Sequence, residues 1–373
     1  MNQREEQKNS PYYTTWSQII EKVDQMIPQL KGKSPHVSRG EYDNMRLDWW
    51  TSGFWPGILW VLYDMTGKEE YRNEAWEWDE KIESCFMKDN NFHHDVGFQF
   101  LPTAVIKYKL TGDPDARRRG LQAANFLAGR FNIAGNFLRA WNQEKKGWAI
   151  IDSSMNLSIL FWASEELKDP RFKYIAKAHA DTVLKHFIRE DGSVRHIASF
   201  DAESGEFIEA LGGQGYGPDS AWSRGQAWAI YGMANTYKYT GDIKYLRAAQ
   251  RVAHFFLASL TEDYVAHWDF RVPNLDGEER DTSAAACAAS GLIEIAGCLP
   301  PEEGRLYQTA AERIIKSLAA SYATWNQPEY EGILREGTGN KPAGQNVDVS
   351  LIYGDYYFVE AVAKLLGWES KVF

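Results

Sequence analysis

The chain has 373 residues, of which 44% are hydrophobic and 25% are charged, and its formal net charge is −10. This composition is typical of a globular protein with a substantial core, and an acidic chain without a stripe of Lys and Arg is a poor candidate for binding nucleic acid. The 3 cysteines form no CxxC pair, which argues against a disulfide framework and a thiolate zinc site.

The N-terminal segment is polar and lacks the apolar core of a secretory signal. No later stretch offers the run of about 18 apolar residues that a membrane-spanning helix needs. We therefore expect a cytoplasmic protein with no membrane partner. Residues 1–12 are predicted to form a loosely ordered tail, and residues 13–373 a single catalytic domain.

One module recurs along the chain: an apolar, aromatic-rich helix, a short turn and an amphipathic helix. Among the five turns, Gly67, Gly112 and Gly241 suit the position after a helix where the backbone takes a positive φ. The predicted inner helices before the turns span 54–64, 97–109, 157–166, 227–239 and 283–296. A final inner helix at 354–362 and an N-terminal outer helix at 15–30 complete six pairs. The pattern predicts an all-α fold, an (α/α)6 barrel.

Four segments directly before inner helices combine tryptophan with Asp, His, Gln or Arg. They span residues 48–55, 93–98, 141–156 and 213–228. All four would open at one rim of the barrel, where loops on a rigid scaffold carry most function. Aromatic rings stack on the C–H faces of sugars while fixed polar groups bind the hydroxyls, so this mixture indicates a carbohydrate site.

Two aspartates in these segments are candidates for acid–base chemistry. Asp152 follows an apolar run and precedes an apolar helix, surroundings that raise a carboxyl pKa and suit a proton donor at neutral pH. If Asp95 faces Asp152 across the barrel mouth, the two share a coupled titration in which one stays protonated. The alternative for each aspartate is a helix cap, which for Asp152 would serve the helix that begins near Ser153.

The triplet His93, His94 and Asp95 raises the question of a metal. Adjacent residues are not expected to converge on one ion, and no further His or carboxylate cluster completes a site. We therefore expect no metal and no other cofactor. The two histidines could instead be buried, hydrogen-bonded imidazoles.

Arg224 is the one basic residue inside the aromatic cluster around Trp222 and Trp228. Its guanidinium could pair with a substrate carboxylate in a fork geometry, or it could stack on the two tryptophans as structural support. Both interpretations stay open at this point.

Four motifs occur together in the chain. They are Gly53-Phe54-Trp55-x-Gly57-Ile58-Leu59-Trp60 behind Asp48 and Trp49, His93-His94-Asp95-x-Gly97-Phe98, Ile151-Asp152-x-x-x-Asn156-Leu157, and Trp222-x-Arg224-Gly225-Gln226-Ala227-Trp228-x-Ile230-Tyr231-Gly232. In this order they resemble the unsaturated glucuronyl hydrolases of glycoside hydrolase family 88, and the resemblance extends from about Pro35 to Tyr357.

The resemblance implies specific roles. Asp152 would be the general acid and base, and Asp95 would assist it as a carboxylate that keeps Asp152 protonated and stabilises the cation. The residues implied to line the sugar subsite are Trp50, His94, Trp141, His196, Gln214, Trp222, Arg224 and Trp228. His196 lies in the poorest match of the set. The implied partner is a small acidic oligosaccharide, and the oligomeric state stays open.

The implied substrate carries a C4=C5 double bond in its terminal uronate, as polysaccharide lyases leave it. Protonation at C4 by Asp152 would create an oxocarbenium-like centre at C5, water would add there, and the hemiketal would open and expel the remaining sugar. Some relatives accept sulfated substrates through Ser and Lys residues in the loop that corresponds to 335–341. Here only Thr338 and Lys341 could serve, and Glu336 would repel a sulfate.

Three alternatives remain. An unsaturated rhamnogalacturonyl hydrolase would share the fold and the enol-ether chemistry but take a pectin-derived substrate. A sugar 2-epimerase on the same barrel would need paired histidines, for which only His94 and His196 lie in suitable segments. A sugar-binding toroid without catalysis is disfavoured by the desolvated Asp152.

Overall fold

The structure, a computed structural model, describes residues 10–142 and 145–373. Within these residues, inner and outer helices alternate six times around a ring. The inner helices are Phe54–Thr66, Val96–Phe100 continued by Leu101–Val105 and Ile106–Thr111, Ser153–Leu167, Ser223–Thr240, Thr282–Gly297 and Ile352–Leu365. The outer helices are Tyr13–Gln29, Glu69–Ala75 with Trp78–Glu83, Pro114–Ala128, Pro170–His186, Ile243–Ser259 and Pro301–Ser317.

Contacts between the inner helices close the ring. Each inner helix packs on the next one in the sequence, and the last, Ile352–Leu365, packs on the first, Phe54–Thr66. This is the (α/α)6 barrel that the repeat predicts. The first outer helix begins at Tyr13, and residues 1–9 of the predicted tail lie outside the described residues.

The apolar pattern explains which helices lie inside. The helix Ser153–Leu167 is buried on all faces from Ser153 to Ser164, as an element surrounded by protein must be. The outer helix Ile243–Ser259 instead buries one stripe, which includes Tyr245, Ala249 and Phe256. The burial difference that the sequence predicts between the helices of each pair is therefore confirmed here.

The turns also follow the prediction. Gly67, Gly112 and Gly241 adopt φ values of 71°, 73° and 67°, and each ends an inner helix. In the third turn Lys168 takes the same left-handed conformation, with φ of 56°. The side chain of Asp242 accepts a hydrogen bond from the amide of Lys244 and so caps the next outer helix.

The second inner helix departs from the continuous helix predicted at 97–109. Between Val96–Phe100 and Ile106–Thr111, the residues Leu101–Val105 form a wider π-helical turn. Pro102 lies in this turn and has no amide hydrogen to donate, so the regular hydrogen-bond ladder cannot pass through it.

Short antiparallel strands connect the helices and were not part of the all-α prediction. The pairs are Val37–Ser38 with Ser350–Leu351, Phe131–Asn132 with Phe137–Leu138, and a three-stranded sheet of Trp148–Ile150, Ile197–Phe200 and Phe207–Leu211. In the sheet Ile150 pairs with Ile197, and the next amide, that of Ile151, donates to the carbonyl of His196. The sheet thereby brings His196 beside Asp152.

Strongly buried aromatic rings occupy the interior of the barrel. Phe98 and Trp228 lie with ring centroids 5.1 Å apart, and Trp228 contacts Tyr357 at 5.5 Å. Phe373 stacks on Tyr357 at 5.9 Å. Among the described residues, no helix is both long and apolar enough to cross a membrane.

Candidate active site

A cavity of about 410 Å³ opens at the rim where the inner helices begin. The residues that line it are His36, Asp48, Trp49, Trp50, Asn91, His93, His94, Asp95, Trp141, Ile150, Asp152, Gln214, Arg224, Gly339, Asn340, Gln345, Asn346 and Tyr353. A larger cavity, of about 710 Å³, lies between two outer helices and contains none of the predicted site residues. The candidate active site is therefore the smaller cavity, which contains most of the predicted site residues.

Most of the predicted site residues meet in this cavity. Seven of the ten line it: Trp50, His94, Asp95, Trp141, Asp152, Gln214 and Arg224. The other three, His196, Trp222 and Trp228, are buried and support the lining residues. Trp222 contacts the ring of His196 at 4.2 Å and lies under the guanidinium of Arg224 at 4.6 Å.

Neither aspartate serves as a helix cap through its side chain. Asp152 directly precedes the helix Ser153–Leu167, and Asp95 directly precedes Val96–Phe100, yet neither carboxyl accepts a capping hydrogen bond. The cap alternative is therefore wrong for both. The side chain of Asp152 keeps 14% exposure, which leaves it accessible from the cavity.

Burial raises the pKa of both carboxyls. The pKa of Asp152 rises to about 6, although the charge of Arg224, the backbone amide of Asp152 and the indole of Trp228 oppose the shift. Burial, and then the charge of Asp152, raise the pKa of Asp95 well above its usual range, against the effect of the Asn156 amide. Because the charge of Asp152 acts on Asp95, Asp95 is the group that stays protonated. This is the reverse of what the resemblance implies, an Asp95 carboxylate that keeps Asp152 protonated.

Hydrogen bonding around His94 leads to the same assignment. Its Nδ1 lies 2.8 Å from the carbonyl oxygen of Ala140, which only accepts, so Nδ1 carries the hydrogen. Burial lowers the pKa of His94 well below its usual range, so the ring is neutral and Nε2 carries none. Nε2 lies 3.1 Å from Oδ1 of Asp95. Nε2 makes no well-directed hydrogen bond to the described residues, but two bare acceptor atoms this close would repel each other, so the contact favours a proton on Asp95.

His196 has two competing contacts at Nδ1. The backbone amide of Gln214 donates to this nitrogen at 2.8 Å, and the carbonyl oxygen of Gly212, which only accepts, lies 3.2 Å from it. Burial lowers the pKa of the ring to about 3, so the ring is neutral. The shorter contact favours a bare Nδ1 and a hydrogen on Nε2, which lies 3.7 Å from Oδ2 of Asp152.

The guanidinium of Arg224 donates its hydrogen bonds to other protein groups rather than being left free for a ligand. Its Nη1 donates to Asp281 at 2.5 Å and to the carbonyl of Thr338 at 2.6 Å, and its Nη2 donates to Gln214 at 2.7 Å and to the carbonyl of Gly339 at 2.6 Å. These bonds favour the support interpretation over a free fork for a carboxylate. Because Oε1 of Gln214 accepts from Arg224, the Nε2 hydrogens are the donors that Gln214 can offer a ligand.

The metal question has a different answer from the one expected on spacing. The triplet His93, His94 and Asp95 places one possible ligand atom of each residue within 4.8 Å of the others. The expectation that adjacent residues do not converge is therefore wrong for this triplet. A proton on Asp95 accounts for the short contact between His94 and Asp95 without a metal. The absence of a metal from the working site stays a prediction.

Several residues that line the cavity are not among the predicted site residues. The carboxylate of Asp48 accepts two hydrogen bonds from Arg46, at 2.9 and 2.7 Å, and one from the amide of Asn91 at 2.9 Å. Tyr353 contacts the ring of Trp50 at 4.8 Å. Asp48 belongs to the first of the four motifs, whereas Tyr353, Asn340, Gln345 and Asn346 lie outside all four.

In the loop 335–341, the side chains that could bind a sulfate already contact other protein groups. The hydroxyl of Thr338 donates to the carbonyl of Arg280 at 2.7 Å, and the residue is 1% exposed. The ammonium of Lys341 pairs with Glu278 at 2.7 Å and with Glu279. Both groups therefore already have protein partners.

Comparison with known proteins decides the family. A model of the family described as Glycosyl Hydrolase Family 88 matches residues 19–373. The chain belongs to glycoside hydrolase family 88. The enzyme is therefore a glycosidase, as the motifs indicate.

Individual relatives agree with this assignment. The unsaturated glucuronyl hydrolase of Bacillus sp. (strain GL1) is 38% identical over 350 residues, which cover 91% of this chain and 92% of the relative. Its crystal structure matches with a TM-score of 0.91 over 94% of this chain and 96% of that chain, at 36% identity. The unsaturated chondroitin disaccharide hydrolase of Streptococcus pyogenes serotype M1 is 33% identical over 337 residues, covering 89% and 84% of the two chains.

Proposed function

We propose that this family 88 enzyme hydrates the C4=C5 double bond of a terminal unsaturated glucuronic acid on glycosaminoglycan oligosaccharides produced by lyases. One observation carries the proposal: Asp152 places a carboxyl of raised pKa in the cavity wall, with 14% of its side chain exposed. A protonated carboxyl that a ligand can reach is what proton transfer to a substrate carbon requires.

The reaction follows from this arrangement. Asp152 delivers its proton to C4, and positive charge develops at C5 and the ring oxygen. The Asp152 carboxylate left behind stabilises this charge and then takes a proton from the water that adds to C5. The resulting hemiketal opens, the keto form of the uronate is released, and the remaining sugar leaves. The retaining and inverting rule for two carboxylates at the anomeric carbon does not apply to this route.

Asp95 has a supporting role in this scheme. In its protonated form it lies 3.1 Å from Nε2 of His94 without repelling it and adds no negative charge next to Asp152. The amide of Asn156 donates to Oδ1 of Asp95 at 3.0 Å and holds the carboxyl in place. Once Asp152 has transferred its proton, it is the one ionised carboxyl of the pair. Because Asp95 is already protonated, it does not compete with the substrate for the proton of Asp152.

The relatives support the class of substrate. The names of the two relatives above specify unsaturated glucuronyl and chondroitin disaccharide substrates, and another solved relative, 32% identical with a TM-score of 0.87, is described as specific for heparin. A rhamnogalacturonan-derived disaccharide remains the alternative substrate. The 2-epimerase is disfavoured because burial lowers the pKa of both His94 and His196, so neither ring exchanges protons readily near neutral pH.

We further propose that the preferred substrate is unsulfated at the position facing Lys341. Glu278 and Glu279 neutralise this ammonium, and Asn340, Gln345 and Asn346 supply uncharged amides to the nearby cavity wall. A sulfate there would lack a free cation and would meet two carboxylates. The cytoplasmic location, the single domain and the loose N-terminal tail stay predictions.

The experiment is a parallel assay of enol-ether ultraviolet absorbance with unsaturated disaccharides from unsulfated chondroitin, 6-sulfated chondroitin, hyaluronan, heparin and rhamnogalacturonan. We expect the absorbance to fall fastest with an unsulfated glycosaminoglycan disaccharide. The double variant Glu278→Gln/Glu279→Gln should improve the relative rate on the sulfated substrate. Exclusive turnover of the rhamnogalacturonan product would reject the glucuronyl assignment.

A further inference from the structure

A half-buried arginine outside the predicted site holds the cavity wall that carries Trp141. Arg130 follows the outer helix Pro114–Ala128, and its Nε donates to the carbonyl of Arg139 at 3.0 Å. Its Nη2 donates to the carbonyls of Ala140 and Trp141, at 2.9 and 3.0 Å. One guanidinium therefore binds three consecutive carbonyl oxygens, which fixes the backbone of this segment in one conformation.

The middle carbonyl of the three also binds the catalytic region. The oxygen of Ala140 accepts from Arg130 and, at 2.8 Å, from Nδ1 of His94, and the backbone amide of His94 points to it at 3.3 Å. This contact determines which nitrogen of His94 carries hydrogen. It thereby presents the bare Nε2 to Asp95 at 3.1 Å.

The fourth contact of the guanidinium extends the same wall. Nη1 of Arg130 donates to the side-chain oxygen of Asn142 at 2.9 Å, and the amide of Asn142 donates to the carbonyl of Phe92 at 3.1 Å. Phe92 directly precedes His93 and His94 in the chain. Arg130 therefore ties the segment 139–142 to the segment that bears His94 and Asp95 at two separate points.

We propose that Arg130 is a positioning residue that acts through the Ala140 and Trp141 carbonyls, fixing the tautomer of His94 opposite Asp95 and the place of Trp141 in the sugar subsite. Arg130 does not line the cavity itself, so it acts without touching substrate. The effect on turnover rests on the proposed function, whereas the effect on His94 does not.

Arg189 offers a matched control. It too is half-buried and binds backbone carbonyls of a rim segment, those of Pro218 at 2.7 Å and Ser220 at 2.9 Å. It makes no contact with His94, Asp95 or Trp141 among the described residues. Replacing either arginine by methionine removes a comparable set of hydrogen bonds, so a difference between the two variants reports on position rather than on general stability.

The kinetic test compares Arg130→Met, Arg130→Lys and Arg189→Met on an unsaturated glucuronyl disaccharide. We expect Arg130→Met to lower kcat by about 100-fold, because a displacement of about 1 Å in a catalytic arrangement costs this much. KM should rise as Trp141 loses its support. Arg130→Lys should retain an intermediate rate, and Arg189→Met should keep kcat and KM within a few-fold while its melting temperature falls.

The second readout is nitrogen NMR of histidine-labelled protein, which separates protonated from bare ring nitrogens. The wild type should show His94 with hydrogen on Nδ1 alone, and Arg130→Met should show a mixture of tautomers, with Arg189→Met unchanged. An Arg130→Met or Arg130→Lys protein with the wild-type tautomer and rate would overturn the proposal. Equal kinetic losses in the Arg130→Met and Arg189→Met variants would also overturn it. Tautomer changes in a protein inactive on every unsaturated disaccharide would reject the proposed function and leave the positioning role intact.

Discussion

Asp152 and Asp355 both have a raised pKa, but the groups around their carboxyl oxygens differ. Burial raises the pKa of Asp152 and of Asp355 to about 6. Asp355 accepts from the Tyr42 hydroxyl at 2.7 Å and from two backbone amides at 2.9 Å each, and it is fully buried. Asp152 keeps 14% exposure and leaves Oδ2 without a hydrogen bond to the described residues.

The comparison teaches that a raised pKa does not by itself identify an acid catalyst. Asp355 uses its oxygens to hold the segment that contains Ile333 and Leu334 against an inner helix, so it can transfer no proton to a ligand. Burial raises the pKa of Asp152 to a similar value, but its side chain is partly exposed and lines the cavity. Accessibility, rather than the pKa, separates a catalytic carboxyl from a structural one.

The largest expected effect is on turnover by Asp152→Asn. Because an amide cannot donate a proton to C4 or accept one from water, kcat should fall by about 1,000-fold or more, near the upper range for general acid–base catalysis. Substrate affinity, measured by calorimetry with the inactive variant, should change little. Retention of more than a few per cent of the wild-type rate would show that another group is the acid.

The same substitution should raise stability at alkaline pH. The pKa of Asp152 in the folded protein, about 6, lies above the value of about 3.9 in an unfolded chain. Its contribution to stability is therefore complete at low pH and is lost as the pH rises through 6. Asp152→Asn should gain up to about 3 kcal/mol of unfolding free energy at pH 8 relative to wild type, and nothing at pH 4. Denaturant titrations at the two pH values measure this difference.

Asp355→Asn should instead lower the stability of the fold and leave turnover almost unchanged. Loss of one acceptor oxygen leaves a buried amide or hydroxyl group without a partner, so the unfolding free energy should fall by about 2 kcal/mol. The kcat of the folded fraction should stay within a few-fold of wild type, since Asp355 does not line the cavity. A loss of kcat equal to that of Asp152→Asn, in a protein that remains folded, would break the distinction between the two carboxyls.

The smallest expected effect is that of a chelator. The contact between His94 and Asp95 is explained by a proton, so EDTA should leave the rate unchanged within error. Metal analysis of the dialysed protein provides the control. Inactivation by EDTA that a divalent ion reverses would return His93, His94 and Asp95 to consideration as a metal site.

Much of the fold follows from the sequence because helical periodicity and turn glycines are local signals. The positions of Gly67, Gly112 and Gly241 mark the ends of inner helices, and the apolar pattern separates inner from outer helices. The π-helical turn at Leu101–Val105 and the sheet that brings His196 beside Asp152 depend on tertiary packing. Periodicity carries no information about either feature.

For the site, too, the sequence predicts some features and not others. The motif residues Asp95, Asp152 and Arg224 meet in one cavity, as expected. The direction of the coupling between the two aspartates depends on the Ala140 carbonyl, and the engagement of Arg224 depends on Asp281, Thr338 and Gly339, which are distant in sequence. A single sequence does not specify such partners, and Arg130 escapes notice for the same reason.

The most direct test uses a carbon-linked analogue of the unsaturated glucuronide, in which the bond at the anomeric carbon cannot be hydrolysed. If Asp152 protonates C4, the enol-ether absorbance of this analogue should still disappear with the wild-type enzyme and persist with Asp152→Asn. Absorbance that persists with a wild-type enzyme active on the oxygen-linked substrate, and bound to the analogue, would place the reaction at the anomeric carbon and contradict the account.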